Sequence, residues 1–172
     1  MPAKSRKSDT VRNLIIVLGD QLDERSSAFD GFDPALDAVW MAEVDDESTH
    51  VWSAKQRIAV FLSAMRHFAA HLRARGLTVH YAPLETTSAG STLAGALAHS
   101  IGQLKPDALV MTAPGDWRVL QSLRAVTKEA GLPLDLRDDL TQLIDGAAAR
   151  SRPRAPLLAV DRAKIALGIG PF

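Results

Sequence analysis

The 172-residue sequence predicts a three-layer α/β domain on a doubly wound parallel sheet of about five strands. Three observations carry this reading. Short apolar, β-branched runs recur along the chain, and helical periodicities lie between them. The first run, Leu14-Ile15-Ile16-Val17-Leu18, is unbroken. A strand covered on both faces looks like this, whereas a strand with one wet face would alternate.

Each element follows in order. Gly19-Asp20 halts the first strand, and the polar loop Asp23 to Asp37 leads to a second, Ala38 to Val44. The clearest helix runs from Ala54 to Arg75. Its residues Ile58, Phe61, Leu62, Met65, Phe68, Ala69 and Leu72 recur at three and four, which makes one apolar stripe expected against the sheet. Gly76 is a natural stop. A third strand, Thr78 to Ala82, a helix over Thr92 to Leu104 and a fourth strand, Ala108 to Thr112, come next. Asp116 can N-cap a helix to Ala130, and Gly131-Leu132-Pro133 ends it before a short fifth strand, Leu134 to Leu136. Right-handed crossovers then give a doubly wound sheet.

The organisation reads as a flexible polar tail over residues 1–10, the domain over 11–140, and a divergent tail over 141–172. Ala147 to Pro156 carries two prolines and three arginines with little apolar pattern. It is expected to pack poorly, as a linker or as the mark of truncation or a shifted reading frame.

Lys plus Arg and Asp plus Glu stand at 20 each, so no global positive field draws the chain to nucleic acid. There are no cysteines, which excludes disulfides, thiolate metal sites and a Cys nucleophile within this sequence. No apolar run approaches the ~20 residues needed to span a bilayer. Without a signal segment, a cytoplasmic location is the expectation.

In such sheets ligands bind beyond the carboxyl ends of the strands, where the strand order reverses. With an order of 3-2-1-4-5, Gly19-Asp20-Gln21 after strand one meets Gly115-Asp116 after strand four. Strand two delivers Glu43 and the loop bearing Glu47 and His50. Each feature also has a plain structural reading. Gly19-Asp20 can simply turn the chain, Asp116 can simply cap a helix, and an acidic loop is commonly solvated. Convergence of three remote segments favours a site. His67 and His71 stand at i, i+4, but the residues between them lack a metalloprotease glutamate, so a surface pair is expected. Neither a dinucleotide fingerprint nor a P-loop occurs. A stand-alone nucleotide- or flavin-like-ligand module, or a small enzyme using Asp20 or Asp116 as an acid, stays open on the residues alone.

Four segments resemble one family. They are Leu18-Gly19-Asp20-Gln21-Leu22, Glu43-Val44 with Glu47-Ser48, Lys55-Gln56-Arg57-Ile58 leading into Ser63-Ala64-Met65-Arg66-His67-Phe68, and Pro114-Gly115-Asp116-Trp117-Arg118. Together they are similar to the N-terminal domain of the bacterial deoxyribodipyrimidine photolyase-related proteins, which are iron–sulphur photolyases and cryptochromes that include (6-4) photolyases. The resemblance covers about Leu14 to Asp139. It implies an antenna domain for a ribityl-lumazine chromophore, while FAD, the iron–sulphur cluster and DNA contacts belong to a C-terminal domain of a full-length member. It further implies that Gly19, Asp20 and Gln21 line the slot and that Glu43 and Glu47 accept hydrogen bonds from the ligand. His50 would flank the ring, and Phe61 would form an apolar wall. The surface that a second domain would cover could instead pair with another copy of the chain. Ala54 departs from the histidine that the family carries before its helix-opening lysine.

Overall fold

The computed structural model describes residues 11–44, 55–84 and 92–138. The N-terminal tail, Glu47, His50, Ala54 and the tail from Ala147 lie outside the described residues. Five strands, β1 (Asn13–Ile16), β2 (Ala38–Ala42), β3 (Val79–Ala82), β4 (Ala108–Thr112) and β5 (Leu134–Arg137), form one parallel sheet. Their order is β3-β2-β1-β4-β5, as the sequence predicts. Leu14 sits beside Ala38 on one side and Leu109 on the other, so β1 is central.

The order fixes which face each connection crosses. From β1 the chain steps outward to β2 and β3, then returns to β4 and steps the opposite way to β5. Right-handed crossovers in opposite directions must lie on opposite faces. One face holds Ile15, Val17, Val39, Met41 and Val110 against helix α1 (Lys55–Ala74) and Phe29 of a 3-10 turn, Ser27–Phe29. The other holds Leu14, Ile16, Trp40, Leu109 and Met111 against helices α2 (Leu93–Leu104) and α3 (Trp117–Glu129). Alternate residues of every central strand feed opposite cores, which is why the runs are apolar throughout.

Helix α1 is less buried than its stripe predicts. Met65, Ala69 and Leu72 are buried, while Phe61, Leu62 and Phe68 are only partly covered. For Phe61 and Leu62 the reason is length. Twenty helical residues extend ~30 Å, and strands of four or five residues extend only about half as far. The first turns of α1 therefore overhang the carboxyl ends of the strands. Gly76, at φ +85°, ends the helix in a conformation that a side chain would strain.

At the opposite end of the sheet, Asp37 is buried and clamps the start of β1 to β2. It accepts from Arg12 Nε and Nη2 at 2.8 and 2.6 Å, from the backbone N–H groups of Asn13 and Asp33, and from the Asn13 side chain. Burial pushes this carboxyl up, but these donors outweigh it and hold Asp37 below its ordinary range. Trp40 is buried too, and its indole N–H donates to Ser100 Oγ at 2.8 Å.

Candidate functional site

The crevice begins at the corner after β1. Gly19 is buried against the overhanging part of α1, and only a residue without a side chain fits there. A Cβ at this position would lie 2.3 Å from Phe61 Cζ and 2.9 Å from Met65 Sδ. Phe61 thus faces the Gly19 backbone directly, and the sequence placed it near the crevice. Asp20, the next residue, is exposed.

Gln21 ties the two neighbouring strand ends together. Its Nε2 donates to the Ala113 carbonyl at 2.9 Å, across the loops that follow β1 and β4. That bond fixes the amide orientation, because the flipped form would set two oxygens against each other. Among the described residues, Gln21 Oε1 is left buried with no hydrogen-bond partner. A buried orphan acceptor is uncommon in a folded domain and needs a reason.

Glu43, just past β2, is the opposite case. Its side chain is 0% exposed. Oε1 accepts from Arg66 Nε at 2.7 Å and from the Tyr81 hydroxyl, and Oε2 accepts from Arg66 Nη2 and the Leu84 N–H, both at 2.9 Å. Burial raises the Glu43 pKa, but Arg66, Tyr81 and Leu84 together bring it down to about 2. Tyr81 moves the other way, raised by burial and by its bond to the Glu43 carboxylate. A carboxylate offers about four lone-pair positions, and protein donors fill all four here. A ligand accepted directly by Glu43, as the resemblance implies, would have to share the carboxylate with these four donors. Glu43 locks β2, α1 and the chain beyond β3 to one another.

The segment after β4 also resolves toward structure. Asp116 is the N-cap of α3, accepting from the Arg118 N–H at 2.8 Å, and it pairs with the Arg118 guanidinium at 3.0 Å. Those contacts, the side-chain bond first, hold its carboxyl below the ordinary range. Gly115 and Asp116 are both exposed, and nothing stands within 4 Å of a Cβ built on Gly115. Trp117 is exposed as well, with Arg124 stacked over its ring at 6.0 Å. The recorded link between the β1 and β4 ends runs through Gln21 and Ala113.

Sequence reading missed the role of Arg66, which it named only within the segment Ser63 to Phe68. A signal was available, since a glutamate that ends a buried strand needs a cationic partner. The histidine pair carries no special geometry. His67 and His71 are exposed, and His71 Nε2 lies 3.2 Å from Glu24.

A family model described as deoxyribodipyrimidine photo-lyase-related protein matches residues 15–151. The chain belongs to that family. It is similar to a (6-4) photolyase of Agrobacterium fabrum, 35% identical over 126 residues, which is 73% of this chain and 25% of that protein. The chain thus spans about a quarter of the length of this curated relative. In this photolyase-related chain the Gly19-Asp20-Gln21 corner, the Glu43–Arg66–Tyr81 cluster and the start of α3 all fall inside the matched span. Among the described residues, no helix is long and apolar enough to cross a membrane.

Proposed function

We propose that this chain is the antenna-chromophore-binding part of a protein for light-dependent DNA repair, and that it performs no repair chemistry by itself. The ligand is a ribityl-lumazine, held where β1 and β4 end. The observation that carries this reading is Gln21 Oε1, a buried acceptor with its amide orientation fixed and no donor among the described residues. A lumazine offers ring N–H and ribityl O–H donors, so the residue present fits the group. Phe61, which reaches Gly19 from the overhanging turns of α1, supplies the apolar wall. Glu47 and His50 complete the slot by resemblance. Glu43 acts one step removed, by fixing the helix that carries Phe61.

When bound, such a chromophore absorbs light and passes excitation to a flavin. The site therefore has to be rigid and dry rather than acidic or basic. The residues suit that demand, since Gly19 permits close packing and Glu43 is locked in a buried network.

The test is fluorescence titration of a ribityl-lumazine against the full chain. Phe61→Trp should block binding while the protein stays folded, because Gly19 already leaves no space beside the ring. Glu47→Ala should weaken it by roughly 1.5–3 kcal/mol through loss of an ionised acceptor. Equal binding to all three proteins would place the ligand elsewhere, and no binding to the wild type would remove the antenna reading.

A further inference from the structure

A second concavity lies away from the crevice, at the open edge of the sheet. It is a groove of about 400 Å³ around the edge strand β3, lined by helix α2 and by Arg73 from the end of α1. That volume falls within the ~300–1,000 Å³ range of small-molecule sites.

Its lining is divided. Trp40, Leu104 and Ala82 form an apolar part, and the Trp40 N–H is already committed to Ser100. Arg73, His80 and His99 form the other part. Three basic side chains thus line the groove, and among the described residues no carboxylate does. Arg73 gives Nη2 to the Val79 carbonyl at 3.0 Å, one of the five N–H donors that a guanidinium carries. His99 Nε2 lies 2.9 Å from Gln103 Nε2. One ring nitrogen of His99 is thus engaged by the Gln103 amide, and the imidazole carries a second ring nitrogen besides. His80 is half-buried, and its side chain shares the groove with both.

We propose that this groove binds a small phosphate monoester, its apolar body against Leu104 and Trp40 and its phosphate held by Arg73, His80 and His99. Arg73 contributes permanent charge and fork-shaped donors. Burial and the nearby Arg73 lower the His80 pKa, so the free site carries a neutral imidazole there. An arriving dianion favours its protonation and adds a third donor. The site is independent of the crevice, which lies at the ends of β1 and β4.

The probe is phenyl phosphate, titrated at constant ionic strength into the full chain with isotope-labelled histidines. All five histidines then report separately. The expected result is saturable movement of the His80 and His99 signals with His67 and His71 unmoved. Binding should weaken about tenfold or more in both Arg73→Gln and His99→Gln, the loss expected of a charge-assisted contact. Phenol should bind far more weakly than phenyl phosphate. His99 is exposed, so its variant keeps the test decisive if Arg73→Gln fails to fold. Uniform movement of all five histidines, unchanged affinity in the His99 variant, or equal binding of phenol would each overturn the proposal.

Discussion

Glu43 and Gln21 stand at the same end of the sheet, on the chain leaving two adjacent strands, yet their polar atoms have opposite fates. Glu43 is charged, buried and saturated by four donors from α1, β3 and the backbone. Gln21 is neutral, gives one bond to Ala113 and keeps a buried oxygen with no donor among the described residues. On residue type alone the carboxylate is the better candidate for holding a ligand. The remaining hydrogen-bonding capacity reverses that ranking. A saturated group organises its neighbours, while an unsaturated one can only be completed by something that arrives.

The comparison breaks first if α1 does not hold its place, because Glu43 bonds to Arg66 and Gly19, two residues before Gln21, packs against Phe61 and Met65. Met65→Ala should cost about 2–5 kcal/mol, since a fully buried side chain that packs against Gly19 is deleted. Phe68→Ala should cost clearly less, its ring being only partly covered. Urea unfolding of both variants gives the ordering, and equal losses would mean that the helix packs differently.

Glu43→Ala tests the saturated half. It should cost about 2–4 kcal/mol, because Arg66, Tyr81 and Leu84 lose their acceptor together. The lower end applies if Arg66, about half exposed, regains water. The same network sets a pH dependence. Glu43 is held at about 2, below its ordinary 4.5, so its contribution is full above about pH 4.5 and is lost as pH falls toward 2. Asp37, also depressed, loses its contribution in the same direction. Stability measured from pH 6 to pH 2 should therefore fall, and the Glu43→Ala variant should show a shallower slope. An identical slope would deny Glu43 its ionised role.

Gly19→Ala should cost about 1–3 kcal/mol, as Phe61 and Met65 must move for the new methyl group. Gln21→Leu should be the mildest, within about 1 kcal/mol either way. It loses the bond to Ala113 but also removes an orphan buried acceptor. A thermal melt showing a large loss there would mean that Gln21 is structural like Glu43.

Much of the fold was legible because parallel strands with two covered faces leave an unmistakable apolar record. Leu14 to Val17 and Ala108 to Thr112 needed no partner to be read as strands. Asp116 was legible as a cap because capping is local in sequence. The saturation of Glu43 was not, because Arg66 and Tyr81 lie 23 and 38 residues away and meet it only through the register of β2 with β3. The overhang of Phe61 and Leu62 was hidden for a related reason. Periodicity gives the direction in which a side chain points, but not whether the sheet extends far enough to meet it. The edge groove was equally invisible, since His80 and His99 come from a strand and a helix with no shared motif.

The most direct test of the account sets the two residues against each other in one assay. Ribityl-lumazine is titrated by fluorescence into wild type, Gln21→Leu and Tyr81→Phe. Tyr81→Phe removes a donor from Glu43 and should lower stability by about 1 kcal/mol while leaving lumazine affinity unchanged. Gln21→Leu should leave the protein folded and weaken lumazine about tenfold, the effect of one lost hydrogen bond in a dry site. Unchanged affinity in Gln21→Leu, or a loss confined to Tyr81→Phe, would contradict the account and return the ligand-holding role to the Glu43 cluster.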